Sequence, residues 1–194
     1  MQISIVTGND GKYTQIAGGL PDFVIAEQVD LDIPEIQTNV LTEISADKCR
    51  QAYAQLQKPC LVDDSGIYMN AFNEFPWALT KFLYKGVGLE WIQRLYAWVE
   101  DLGAVFQSVL SYMDETMEQP LECIWEVKGT ISFDRLDKWD AGTHLPYDLI
   151  FVPEWFDKPA LFIREEWMKI NHRVKAVKLF NEYLIDAKEN SSAS

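Results

Sequence analysis

The chain predicts an α/β fold with a mixed sheet, on two observations. Its first third alternates short β-branched runs with segments of helical period, the strand–helix order of parallel pairing. Its middle carries two long stretches, residues 104–112 and 121–133, whose apolar alternation suits antiparallel strands. The size fits: 194 residues at 48% hydrophobic are enough for one compact domain with a sizeable core.

Taken in order, Ile3, Ser4, Ile5 and Val6 read as a buried strand, and residues 12–20 as the helix after it. A turn at Gly18-Gly19-Leu20-Pro21 leads to a second strand over 23–26. Apolar or small residues at Leu41, Ile44, Ala52, Tyr53 and Leu56 give a helix over 41–56 with one buried face. Cys60-Leu61-Val62 reads as a short strand ending in Asp63-Asp64-Ser65-Gly66. Trp91, Leu95 and Trp98 predict a helix over 90–100; residues 149–152 a strand; residues 174–185 a closing amphipathic helix. The polar stretch 188–194 reads as a disordered tail, so the domain is placed at 1–187.

Composition narrows the function classes. A formal charge of −13 argues against a grip on a nucleic-acid polymer, which needs a basic face. Cys49, Cys60 and Cys123 are widely spaced without a CxxC pair, which predicts buried free thiols and a reducing, cytoplasmic setting. No signal peptide opens the chain and no apolar run is long enough to span a bilayer, so no membrane partner is expected. His144 sits in a Gly-containing loop with no cysteine spaced to join it, so zinc is not expected.

The residues with chemistry fall at a few points. Thr7-Gly8-Asn9-Asp10-Gly11-Lys12 follows the first strand directly. Its glycines permit close backbone approach, and the next helix starts there, so backbone donors, a hydroxyl, an amide and a lysine suit a phosphate. The spacing is not that of a Walker loop. Glu35 and the pair Asp63-Asp64, expected at a strand end, are hard oxygen donors that would hold Mg²⁺, and one could orient or deprotonate a water. The same pair would equally serve an Asx turn. Lys48 could reach a phosphate or lie on a solvated helix face. Tyr147 could stack on a base, with Asp148 beside it. Arg173 offers a planar fork to carbonyl oxygens, or lies exposed, and His172 could cap or pack at a helix start.

In order, these segments resemble the inosine triphosphate pyrophosphatase family, the house-cleaning hydrolases of non-canonical purine nucleoside triphosphates. The resemblance covers about Ile3 to Leu184. It rests on Thr7-Gly8-Asn9 with Lys12, Pro34-Glu35-Ile36-Gln37, Glu43-Ile44-Ser45 with Lys48-Cys49, Leu61-Val62-Asp63-Asp64-Ser65-Gly66, and Phe75-Pro76 with Lys81-Phe82. It continues in Gly129-Thr130-Ile131, Tyr147-Asp148 with Ile150-Phe151, and His172-Arg173 with Ala176. It implies a two-lobed α/β fold around a long mixed sheet, a homodimer, and Mg²⁺-dependent cleavage of the α–β phosphoanhydride to a monophosphate and pyrophosphate. It further implies that Thr7, Asn9, Lys12 and Lys48 hold the phosphates, with Lys12 also in the catalytic set. Glu35 and Asp64 serve metal and water with Asp63 as a neighbouring acid, and Tyr147, Asp148, His172 and Arg173 face the base.

Departures from the family pattern gather on the base side: His144-Leu145-Pro146 stand for Gly-Phe-Gly, Asn171 for Ser, Trp167 for a lysine and Trp77 for a glycine, and the 132–143 loop is longer. Trp167 would supply the stacking that Leu145 cannot. Losing a donor to a 6-keto base alters base selection more than phosphate chemistry. The expectation is therefore a purine triphosphate pyrophosphatase, with the same chemistry on another modified nucleotide, or nucleotide binding without turnover, as the alternatives.

Overall fold

The computed structural model describes residues 1–138 and 145–192, the last three of these (190–192) by backbone; His144 and residues 139–143 of the long loop lie outside them. The elements run β1 (Gln2–Val6), α1 (Asp10–Ala17), β2 (Ile25–Val29), α2 (Leu41–Leu56), β3 (Cys60–Met69), β4 (Pro76–Trp77), α3 (Thr80–Leu95), β5 (Gly103–Met113), β6 (Leu121–Ile131), β7 (Phe151–Pro153), α4 (Arg164–Ile170) and α5 (His172–Ser192). The strands form one mixed sheet in the order β2-β1-β3-β5-β6-β7, with β4 also on β3. β1 lies parallel to β2 and β3, with Ile5 opposite Leu61, while β6 and β7 are antiparallel. The α/β class with a mixed sheet is as the sequence pattern predicts.

The chain divides into two compact units. The first takes Met1–Asp64, Ser108–Trp125 and the chain from His172 onward; the second takes Ser65–Gln107 and Glu126–Asn171. β3, β5 and β6 each give residues to both.

In the first unit, Ile3, Ile5, Ile16, Leu61, Leu110, Tyr112, Val177 and Phe180 form one core, and Val6, Cys49, Ala52, Cys60 and Val62 another. α2 has the predicted bounds because Leu41, Ile44, Ser45, Cys49 and Ala52 recur at helical spacing and are buried. α1 begins at Asp10, ahead of the predicted Lys12, because Asn9 caps it: its side-chain oxygen accepts from the Lys12 N–H at 3.1 Å. β2 starts at Ile25, later than predicted, where it can pair with Gln2. α5 continues to Ser192, into the stretch read as a tail, with Lys188 Nζ 4.2 Å from the centre of the Phe23 ring.

In the second unit the core gathers Ile67, Met69, Leu89, Ile92, Tyr96, Phe106, Ile131, Tyr147, Phe151 and Trp167. Here the helix predicted over 90–100 is corrected. α3 ends at Leu95, and its buried residues are Leu89 and Ile92, followed by Tyr96, while Trp91, Leu95 and Trp98 are exposed. The inward face is set by the 89–92–96 spacing rather than by the tryptophans. Gly88 breaks the helix with φ 75°. β7 starts at Phe151 because Pro146–Leu149 form a 3₁₀ turn first.

β3 corrects the second expectation. It does not end at Asp63-Asp64-Ser65-Gly66 but runs on to Met69, where Ile67 and Tyr68 pair with Trp77 and Pro76. Gly66 permits the pairing, since a Cβ there would meet the Trp77 carbonyl oxygen at 2.5 Å. The two aspartates are thus interior residues of an interior strand, and the Asx-turn alternative falls away.

Candidate active site

The acidic and basic residues expected to handle phosphates belong to the first unit, where they form two adjoining groups on β3. The first is centred on Asp63. Its Oδ2 meets Lys12 Nζ and Arg173 Nε, each at 2.9 Å, and its Oδ1 accepts from the Ser108 hydroxyl at 2.5 Å. Lys12 Nζ also donates to the Asp63 carbonyl oxygen at 3.0 Å, and Arg173 Nη1 donates to Gln15 Oε1 at 3.0 Å. Burial by itself would raise the Asp63 carboxyl. The guanidinium, the ammonium and the Ser108 hydroxyl outweigh it and hold the group well below the usual carboxylate range.

The second group is centred on Lys48. Its Nζ donates to Asp64 Oδ1 at 2.8 Å and to Glu35 Oε1 at 3.1 Å, so it is no solvated helix-face lysine. Burial alone would lower the ammonium, but Asp64 and Glu35 raise it, so it stays charged. In Asp64 burial prevails over the partner charges. Burial raises its carboxyl against the pull of Lys48 and Lys12, with Asp63 adding to the rise. The geometry supplies the reason: Asp64 Oδ2 is buried and makes no hydrogen bond.

The loop after β1 fixes the approach to Lys12. Asn9 N–H donates to Thr7 Oγ1 at 3.1 Å, and Asn9 Oδ1 is used for the cap. The Thr7 hydroxyl proton and the Asn9 side-chain N–H₂ remain as donors beside the first turn of α1, the end of the helix dipole that favours an anion.

The residues expected at the base divide between the units. His172 and Arg173, in the first, are both buried, so the exposed-arginine alternative fails and the Arg173 fork is engaged on Asp63 and Gln15. His172 is held well below its ordinary value by burial, then by Arg173 and Lys12, with Asp63 opposing, so the imidazole is neutral. Tyr147 and Asp148 belong to the second unit. Tyr147 is 4% exposed, and its hydroxyl donates to the Thr80 carbonyl oxygen at 2.9 Å. Trp167, expected as a stacking surface, lies in that unit's core at 3% exposed, with Phe151 and Phe106 rings 5.8 and 6.5 Å away. Core aromatics cover it, which corrects the expectation.

Two participants escaped the sequence reading. Ser108 shares the largely apolar strand β5 with Gln107 and Ser111, so nothing in the sequence singles it out. Gln15 lies three residues after Lys12 and so on its helix face. Among the described residues no group of three or more His, Cys, Asp or Glu side chains forms a ready metal cluster. No helix among them is long and apolar enough to cross a membrane. All three cysteines are buried and free.

Known proteins match this chain along most of its length. The sequence model of the Ham1 family matches residues 3–183. A protein of Methanopyrus kandleri called dITP/XTP pyrophosphatase is 35% identical over 185 residues, covering 94% of this chain and 96% of its own. One of the same name from Pyrococcus horikoshii is 30% identical, covering 95% and 97%. Among solved structures, a HAM1 protein from Coxiella burnetii superposes with a TM-score of 0.78 at 23% identity, covering 96% of this chain and 99% of that one. That last likeness concerns the fold.

Proposed function

The chain belongs to the Ham1 family, and we propose that it is a Mg²⁺-dependent pyrophosphatase of non-canonical purine (deoxy)nucleoside triphosphates such as ITP, dITP and XTP, yielding the monophosphate and pyrophosphate. The observation that carries the reading is the Asp64–Lys48–Glu35 group: a buried carboxylate oxygen without a hydrogen-bond partner on a residue paired with Lys48 and acted on electrostatically by Lys12. The names of the relatives at 30–35% identity point the same way.

The residues fit the ion. Glu35 and Asp64 are hard oxygen donors, and the orphaned Asp64 Oδ2 is an oxygen whose burial a cation would compensate. When bound, Mg²⁺ would neutralise charge on the phosphoryl oxygens. The chain's own residues would do the rest. Thr7, Asn9, Lys12 and Lys48 hold the triphosphate, placing its α-phosphorus and countering the charge that grows on its oxygens in the transition state. Asp64 orients the attacking water and receives its proton. Asp63 has both oxygens engaged and anchors Lys12 and Arg173 instead. Of the residues the resemblance assigns to the base, His172 and Arg173 stand in the same unit as the phosphate-end residues. A homodimer in the cytoplasm completes the reading. The exposed Phe82, Trp91 and Leu95 of α3, with Trp98 beyond it, support the first part, and the buried free thiols the second.

The deciding test is pyrophosphate release with Mg²⁺ across ITP, XTP, dITP and the standard nucleotides, with Asp64→Asn as control. Release led by ITP, dITP and XTP supports the reading. Release led by another base moves the substrate to a different nucleotide and makes Leu145 and Pro146 the first determinants to test. No release from any nucleotide removes the enzyme and leaves a nucleotide-binding relative.

A further inference from the structure

We propose that Ser108 is a positioning residue of the phosphate end of this site, acting through Asp63 on Lys12. The inference rests on the phosphate-binding role proposed above for Lys12 and assigns a new residue to it.

A carboxylate turns easily about its Cβ–Cγ bond, and its direction must be fixed if it is to aim a cation. Asp63 has no exposed side-chain surface, so water cannot fix it. The Ser108 hydroxyl does, by donating to Oδ1 at 2.5 Å, which leaves Oδ2 for Lys12 and Arg173. Ser108 is itself fully buried on β5, so its hydroxyl cannot exchange that partner for water. Of the three cations and anions in this group, Arg173 is 3% exposed and Asp63 not at all, whereas Lys12 is 20% exposed. Lys12 is therefore where the group meets a ligand. Two of its three N–H bonds are spent on Asp63, one on Oδ2 and one on the main-chain oxygen. The direction of the third is then determined. Without Ser108, Oδ1 is a buried charged oxygen lacking a donor, and the carboxylate rotates to share Lys12 and Arg173 between its two oxygens. The lysine turns with it.

Calorimetric binding of inorganic pyrophosphate in the presence of Mg²⁺ tests this without needing turnover or a base. Ser108→Ala is expected to weaken pyrophosphate by about tenfold, the worth of one charge-assisted hydrogen bond. Ser108→Thr, which keeps the hydroxyl, is expected to bind like the wild type. A fraction of misfolded protein would change the stoichiometry and not the dissociation constant, so the readout separates positioning from stability. In a Lys12→Ala background, Ser108→Ala is expected to change the affinity by less than about twofold, because the residue it acts through is gone. Wild-type affinity in Ser108→Ala, or losses that multiply in the double variant, would overturn the proposal. Should Ser108→Thr fail to fold for want of space, the Lys12 cycle alone decides. A wild type that binds pyrophosphate yet releases none from any triphosphate would sink the proposed activity while leaving the Ser108 result readable.

Discussion

Asp63 and Asp64 are consecutive on β3, and their carboxyls are driven in opposite directions. Asp63 is pulled down by Arg173 and Lys12 against its burial; Asp64 is pushed up by burial against Lys48, with one oxygen unpaired. Successive residues of a strand face opposite ways. The two acids can therefore be given different surroundings, and so different work, within one dipeptide.

Asp64→Asn is expected to lower kcat for the best nucleotide by about 10²-fold or more, the usual worth of a positioned base. It also removes the oxygen that a cation would satisfy. Differential scanning fluorimetry should show Mg²⁺ raising the Tm of the wild type by a few degrees and leaving Asp64→Asn unmoved. An equal Mg²⁺ shift in both proteins would take Asp64 out of the metal site.

His172 predicts an acid limb of the stability curve. Its folded-state value lies below the ordinary 6.5, so as the pH falls through 6.5 the unfolded chain takes up a proton that the folded chain refuses. The contribution is complete above 6.5 and is lost on acidification at up to about 1.4 kcal/mol per pH unit. Asp63, also depressed, gives up its share only further into acid, below the ordinary 3.8. Urea unfolding from pH 8 to 4.5 should show the first slope, and His172→Asn should flatten it between 6.5 and 5. An unchanged slope in the variant would assign the limb to other groups.

Trp167→Ala should reveal itself as a loss of stability. Removing a buried tryptophan from the Phe106–Phe151 cluster costs about 3–5 kcal/mol. The ratio of kcat/KM between ITP and ATP should stay within about threefold, since a packing loss is not a change of pocket chemistry. A large shift in that ratio with little loss of stability would return the residue to the base site.

Gly129→Ala tests a motif residue. A Cβ there would lie 2.3 Å from the Val152 carbonyl oxygen and 2.7 Å from the Phe151 ring. Overpacking of this kind costs about 1–3 kcal/mol. The urea midpoint should fall with the m-value unchanged. The glycine belongs to the Gly129-Thr130-Ile131 signature, and the structure gives it the task of bringing β6 against β7.

The sequence was readable where one periodicity ruled. α2 has its predicted bounds because a single buried stripe spans it, and β1 stands where its β-branched run does. It misled where large side chains stood for burial: the tryptophans at 91 and 98 announced a helix face that faces solvent, while Leu89 and Ile92 carry the contact. The Asp63-Asp64-Ser65-Gly66 stretch looked like a strand end because its residues favour turns, and only pairing across β4 shows why a strand continues there. At the site, the charged residues could be named from motifs but their pairing could not. That Lys12 shares Asp63 with Arg173 is a contact across 110 residues of chain between Asp63 and Arg173, and the two neutral residues that complete it, Ser108 and Gln15, carry no charge to announce themselves.

The burial of Cys49, Cys60 and Cys123 has a use of its own, since all three lie in the first unit. An alkylating reagent can reach them only while that unit is open, so the rate at which each thiol is modified is a clock for local opening. Cys49 and Cys60 report on the α2–β3 core and Cys123 on the β6 side of the same unit. The second unit has no sulfhydryl among its residues, and its openings pass unrecorded. The chain thus carries a natural reporter for the half that holds Lys12, Lys48, Asp63 and Asp64, and labelling with and without a bound nucleotide would show how much that half is quietened.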